Sequence, residues 1–320
     1  SARAYHVLLN ERCTGFRQAM STVTVTLPDG ATRTVPTGTP VSVIAEGISP
    51  RLAKQALAAV VNDSIVDLSF PLESDALVTV VTPKSPDALE LYRHSTAHLM
   101  AAAVTALFPE AQCGIGPPTS DGFFYDFIVD RPFVPEDLVA IEKKMMELAK
   151  QDLPYMRKIL SKEAAKAHFQ DRGEPLKVQL IDEKGGPMVS CYTIEDAFID
   201  FCTGPHVPST GHLKAFKVLT SSNAYWKGDA QNQPMQRIYG TAFFKDSALK
   251  EHLHRLEEAK KRDHRKLGKE LGLFTFHQFA PGAPFWLANG TALYNHLALY
   301  MREMLYPEGY IELRTPLVFN

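Results

Sequence analysis

Residues Thr22 to Gly38 read TVTVTLPDGATRTVPTG. Val23 and Val25 alternate with threonine, which is the period-two pattern of a half-buried strand. Pro28-Asp29-Gly30 is turn chemistry, and a second strand follows it. Outward from this pair, Pro40 opens an apolar-periodic segment through Val43, Ile44 and Ala45. Ser49 to Val60, carrying Leu52, Ala56 and Leu57, predicts a second helical stretch. Val60–Val66 and Leu77–Val81 predict further strands. Strands wrapped on one short helix make a small α+β module, and Thr82-Pro83-Lys84-Ser85-Pro86 is the linker that ends it.

The chain has 320 residues, which predicts two domains or three small ones. Hydrophobic residues make up 45% and charged residues 22%, a globular balance that rules out wholesale disorder. With 34 Lys+Arg against 36 Asp+Glu, bulk charge does not drive nucleic-acid binding, so any such contact must come from local patches. The apolar run Leu99–Phe108 falls far short of the ~18–20 residues of a membrane span, so no membrane partner is expected. Cys13, Cys113, Cys191 and Cys202 form no CxxC pair, and a reduced, cytoplasmic compartment fits them better than a disulfide scaffold. Residues 1–19 carry Arg3, Arg12 and Arg17 against Glu11. An organellar leader has such a composition; an upstream extension is the plainer expectation, because the strand pattern begins directly after Met20.

Beyond the linker, Ala88 to Phe108 predicts a long helix with Leu91, Ala97, Leu99, Ala102 and Leu107 on its apolar face. Gln112–Gly116 and Gly122–Phe127 predict strands, Glu136–Lys150 a helix, and Lys177–Ile181 and Val189–Thr193 strands again. Ser247–Leu271 holds eight Lys or Arg against five acids and predicts one polar linker helix of the kind that bridges domains. A solvated face is the plain account of its Lys260, Lys261, Arg262, Arg265 and Lys266, and RNA contact the alternative. A helix from Thr291 to Tyr306 and a strand at Tyr310–Pro316 complete the pattern.

His94 and His98 are spaced i, i+4, so both rings project from one helix face. Cys202 and His206 recur as FCTGPHV, where Gly204 and Pro205 form a tight turn that can aim both side chains one way. Three imidazoles and a thiol suit a tetrahedral zinc site. They also suit a hydrolytic pocket in which histidine acts as general base and cysteine positions water. Either pair alone also fits a satisfied surface; their joint presence is what draws them together.

HSTAH at 94–98 with DFCTGPHV at 200–207 resembles the second additional domain shared by threonyl- and alanyl-tRNA synthetase editing modules. Residues 20–82 resemble a TGS domain, a β-grasp fold. AYWKGDAQNQPMQRIYGTAF at 224–243 is similar to the stretch that closes the threonyl editing domain. KRDHRKLGKELGLF at 261–274 and GYIELRTPLV at 309–318 resemble the start of the class II aminoacylation core and its motif 1, with Pro316 the motif proline. Across residues 20–320 the chain resembles the N-terminal portion of bacterial-type threonyl-tRNA synthetases.

The resemblance implies an α+β multidomain chain: an extension at 1–19, a TGS domain at 20–82, an editing domain at 84–245, a linker helix at 246–272, and the start of a class II core at 273–320. It implies hydrolysis of mischarged seryl-tRNA(Thr), with tRNA(Thr) as partner and a homodimer in the full-length family. His94, His98, Lys177, Cys202 and His206 are the expected catalytic residues: His94 activates water or contacts the ribose, His98 and His206 orient, and Cys202 positions water rather than attacking. Lys177 protonates the leaving oxygen or binds the 3′ end. Tyr125, Asp126 and Asp200 are expected to bind substrate, Asp200 through its ammonium. No metal or other cofactor is expected for editing. The family's ATP, magnesium and catalytic zinc sites follow motif 1, so the 320 residues as given are not expected to activate threonine. A non-catalytic tRNA-binding or regulatory fragment and an alanyl-type hydrolase are the alternatives.

Overall fold

A computed structural model describes residues 21–315. The 1–19 extension, Cys13 and Pro316 lie outside the described residues. No described helix is long and apolar enough to cross a membrane. The described chain up to Leu249 forms one compact unit and Lys250 onward a second.

The first module follows the hairpin. Strands β1 (Thr22–Thr26) and β2 (Thr32–Pro36) pair antiparallel. After β3 (Thr39–Pro40) come helices α1 (Val41–Ile48) and α2 (Pro50–Gln55), the two helical segments expected after Pro40 and from Ser49. The second ends at Gln55, not Val60, because Leu57 N–H already donates to Val81 O across the sheet. Strands β4 (Ala58–Val61) and β5 (Ser64–Val66) replace the single strand expected over Val60–Val66. Asn62 and Asp63 both take positive φ (46° and 67°), the geometry of a two-residue hairpin turn. Strand β6 (Pro71–Leu72) pairs with β3, and β7 (Ala76–Val81) runs parallel to β1. The sheet order is β2-β1-β7-β4-β5, with Val25, Val41, Ile44 and Val78 in its core.

The second domain is built on α3 (Ala88–Leu107), as expected. This helix is buried nearly all round and is packed by β9 (Phe123–Ile128), α4 (Pro135–Gln151) and β14 (Pro234–Phe243). Strand β8 covers only Gln112–Cys113 of the expected Gln112–Gly116. With β13 (Ala215–Tyr225) these strands form a sheet in the order β13-β14-β9-β8. A second sheet, β10 (Tyr155–Ser161), β11 (Met188–Ile194) and β12 (Phe198–Phe201), carries α5 (Lys162–Asp171). Lys177–Ile181 is not a strand but part of helix α6 (Pro175–Lys184). Pro175 at the first turn fixes a helical φ, and the buried pairs Leu176/Leu180 and Lys177/Ile181 have i, i+4 spacing.

The expected linker helix is two helices, α7 (Asp246–Lys261) and α8 (His264–Glu270). Asp263 breaks it by accepting the Arg265 N–H at 2.8 Å as an N-cap. Short strands β15 (Phe274–Thr275) and β16 (Phe285–Trp286) pair, and α9 (Ala288–Leu305) follows. The strand expected at Tyr310–Pro316 is absent over its described part. Residues 310–315 pair with no strand there, and Ile311 and Leu313 are 83% and 84% exposed.

Candidate hydrolytic site

Helix α3 supplies His94 and His98 one turn apart, and the segment after β12 supplies Cys202 and His206. Cys202 Sγ lies 3.4 Å from His94 Nε2 and 3.6 Å from His206 Nε2. The loop between them holds a cis Gly204–Pro205 bond, and Gly204 N–H donates to Cys202 Sγ at 3.2 Å. Gly204 takes φ +68°, and a Cβ there would collide with the Tyr192 hydroxyl, so the turn requires glycine.

Ser95, missed in the sequence, fixes the tautomer of His206. Its hydroxyl donates to Leu91 O at 2.9 Å and accepts from Val207 N–H at 3.0 Å. Its one proton is therefore committed, and His206 Nδ1, 3.2 Å away, must be the donor to it. His206 Nε2 is left as a lone pair facing the Cys202 thiol. Tyr155 stacks on the His206 ring at 5.0 Å and donates its hydroxyl to Ser95 O at 2.7 Å. The hint was Ser95 itself, embedded in the histidine pair.

Beside this group lies a charged one. Lys177 is buried, ion-paired with Asp200, and donates to Gly114 O at 2.6 Å and Tyr125 Oη at 3.1 Å. Tyr125 in turn donates to Asp200 Oδ2 at 2.5 Å. His98 Nε2 stands 3.7 Å from the same carboxylate oxygen, and His98 Nδ1 is buried without a hydrogen-bond partner. Seven of the expected residues thus converge. Asp126 does not: it points to the other side of β9, where Arg237 holds its carboxylate at 2.7 and 2.9 Å. Alternation along the strand separates it from Tyr125.

Burial sets the charge states. It depresses His94, partly offset by Asp200, and depresses His98 and His206 well below the usual imidazole range, aided by neighbouring rings. Burial also pushes the Cys202 thiol up to about 12. Desolvation is the largest influence on the Lys177 ammonium and works against it, but Asp200, Cys113 and Glu174 together outweigh it and the pKa is raised. The result is three neutral imidazoles and a neutral thiol beside a Lys⁺–Asp⁻ pair. His94, His98, Lys177, Asp200 and Cys202 line a cavity of about 410 Å³ with Pro117, Phe201 and Thr203, and His206 lies behind Cys202. Such a cavity offers a water-activating base beside a buried carboxylate and ammonium.

The four donor atoms of His94, His98, Cys202 and His206 all lie within 4.8 Å of one another. The 3.4 and 3.6 Å edges match the roughly 3.3–3.6 Å edges of a zinc tetrahedron with bonds of about 2.0–2.3 Å. The donor set is that of a closed Cys-His₃ zinc site, reached only if the wider separations, up to 4.8 Å, contract to tetrahedral edges, and it would leave no coordination position open to substrate.

Comparison with known proteins adds two domain matches. The TGS domain family matches residues 23–82, and the family described as threonyl and alanyl tRNA synthetase second additional domain matches residues 189–239, which include Asp200, Cys202 and His206. Threonine–tRNA ligase of Anaeromyxobacter dehalogenans is 51% identical over 302 residues, covering 93% of this chain and 46% of the relative. The Myxococcus xanthus enzyme of the same name is 48% identical over 302 residues, with 93% and 47% covered. That of Teredinibacter turnerae is 50% identical over 297 residues, with 92% and 46% covered. The chain spans just under half the length of these relatives. It carries a TGS domain and a threonyl and alanyl tRNA synthetase second additional domain, and over 93% of its length it is homologous to threonine–tRNA ligases.

Proposed function

We propose that residues 84–245 hydrolyse the ester of seryl-tRNA(Thr) and spare threonyl-tRNA(Thr), with tRNA(Thr) as the macromolecular partner in the cytoplasm. Threonine and serine differ by one methyl group, worth only ~1–3 kcal/mol to a binding pocket, so a synthetic site discriminates poorly between them. A second, smaller pocket that admits serine and excludes the methyl corrects the error.

The observation that carries this is that neutral His94 and Cys202, the latter backed by His206, stand beside the charged Lys177–Asp200 pair around one cavity. Of the three imidazoles, His94 is only half-buried and reaches solvent, so it is the base that takes a proton from water. The water oxygen bonds to the ester carbonyl carbon, the bond to the ribose oxygen breaks, and that oxygen leaves with the proton that His94 took from the water, which restores neutral His94. His98 and His206, fully buried, orient the pocket. Asp200 receives the seryl ammonium, and Lys177 holds Asp200 in place and faces the 3′ end. Cys202 positions water; a thiol held protonated by burial is a poor nucleophile.

Deacylation of seryl-tRNA(Thr) beside threonyl-tRNA(Thr), with this chain as sole enzyme, tests the proposal. Rapid loss of serine with threonine spared is expected. His94→Ala should lower the rate ~10²–10⁴-fold, the span of a general base, and Cys202→Ala should also lose deacylation, both remaining folded. Full activity in both variants, or tRNA binding without turnover in the parent chain, refutes it.

We also propose that hydrolysis needs no metal. A zinc ion, when bound by His94, His98, Cys202 and His206, would hold the thiolate and cross-link α3 to the Cys202–His206 loop. With all four positions closed by protein, the ion would activate no water and His94 would lose the lone pair that the proposed base needs, so hydrolysis belongs to the metal-free site. Metal analysis of the purified chain should find zinc below stoichiometry and deacylation unchanged by chelation. Stoichiometric zinc that disappears in Cys202→Ala reverses the assignment.

A further inference from the structure

The loop bearing Cys202 and His206 is held from outside its own domain. Asp67, in the segment after the β4–β5 hairpin, accepts the His206 backbone N–H on Oδ1 at 2.9 Å. Its other oxygen, Oδ2, accepts the Tyr192 hydroxyl at 2.5 Å. Tyr192 in turn packs edge-on against the His206 ring, with centroids 4.6 Å apart, and its hydroxyl lies where a side chain on Gly204 would be. One carboxylate therefore fixes both the backbone of His206 and the ring that flanks it.

Asp67 is itself anchored. Leu68 O accepts the Ser42 N–H at 2.8 Å, Phe70 O accepts the Val41 N–H at 3.1 Å, and Phe70 N–H donates back to Asp67 O at 3.0 Å. The segment thus lies across the first turn of α1 and satisfies helix donors that would otherwise have no partner. The hairpin is braced too. Val60 and Ile65 pack against the core that contains Leu91 and Phe123. Both modules belong to the same compact unit.

We propose that Asp67 is a positioning residue of the hydrolytic site, so that the TGS module completes the geometry of the second additional domain rather than merely preceding it. This rests on the function proposed above. Nothing in the loop supplies its own acceptor for the His206 N–H, and the turn from Cys202 to His206 belongs to no helix or strand. Without Asp67, the His206 Nε2 and Cys202 Sγ lose their common frame, and reacting groups displaced by about 1 Å cost up to ~10²-fold in rate.

The test compares Asp67→Ala, Asp67→Asn and Tyr192→Phe in the full chain. Seryl-tRNA(Thr) deacylation is measured as kcat and KM, and hydrogen exchange is measured at the His206 amide. Asp67→Ala should lower kcat roughly ten- to hundredfold with little change in KM, and should expose the His206 amide to exchange. Asp67→Asn keeps an acceptor for that amide and should retain most of the rate and the protection. Tyr192→Phe leaves the Asp67–His206 bond in place and should keep the amide protected, which holds the test open should Asp67→Ala unfold. An Asp67→Ala chain with parental kcat, or a His206 amide that exchanges equally in parent and variant, overturns the inference. If the parent chain does not deacylate at all, the proposed function fails. The amide exchange then still decides whether Asp67 fixes the loop.

Discussion

Lys177 is 1% exposed, and its ammonium hydrogens are spent on Asp200, Gly114 O and Tyr125. A buried charge without a partner costs several kcal/mol, so each member of the pair depends on the other. Lys177→Met removes the cation and leaves the Asp200 carboxylate with the Tyr125 hydroxyl as donor and His98 Nε2 3.7 Å away. Urea unfolding should show a loss of about 3–5 kcal/mol, the usual cost of orphaning one member of a buried pair. The double variant Lys177→Met/Asp200→Leu should recover much of that loss, because it removes both charges together. Equal stability in the single and double variants would mean that the two groups are not coupled. Deacylation should stay low in both, since the proposed ammonium anchor depends on this carboxylate.

At the scale of elements, what the sequence disclosed tracks the length and regularity of each pattern. The β1–β2 hairpin and α3 were legible because alternation in one and a long apolar face in the other persist over several residues. Helix α6 was not. Lys177-Val178-Gln179-Leu180-Ile181 alternates like a strand over its first four residues, and the helical pairing appears only when Leu176 is included. Asp126 was read one face wrong because neighbours on a strand look alike until the partner, Arg237, is known. The break at Asp263 was signalled by an N-cap residue inside a run that otherwise reads as continuous helix. His94 with His98 and Cys202 with His206 were visible as pairs through local spacing. Their convergence came from the resemblance, since no spacing law connects residues 108 apart. Asp67 was invisible for the same reason: it meets His206 across 139 residues and belongs to an unrelated module.

On the scale of the whole molecule, the neutral imidazoles couple the site to stability. Burial holds His94, His98 and His206 below the ordinary value of 6.5, so the folded chain binds fewer protons than the unfolded chain as pH falls through that value. Stability therefore rises with pH in this window and is lost on acidification, by up to about 1.4 kcal/mol per pH unit for each imidazole. Glu174 acts in the opposite sense at lower pH: burial raises its carboxyl above 4.5, so its contribution is present in acid and fades as pH rises. Between pH 7.5 and 5.5 the imidazoles dominate, and the thermal midpoint of chelator-treated chain should fall steadily. Replacing His98, the buried ring with an unpaired Nδ1, by Gln should flatten that slope even if it lowers the midpoint at pH 7.5. Deacylation should fall on acidification below 6.5 as His94 becomes protonated, and Asp67→Ala should not change the pH at which it does so. A midpoint that is flat from pH 7.5 to 5.5, or that rises on acidification, would mean that these imidazoles are solvated or already charged. In the second case the neutral imidazole that the mechanism assigns to His94 would be missing.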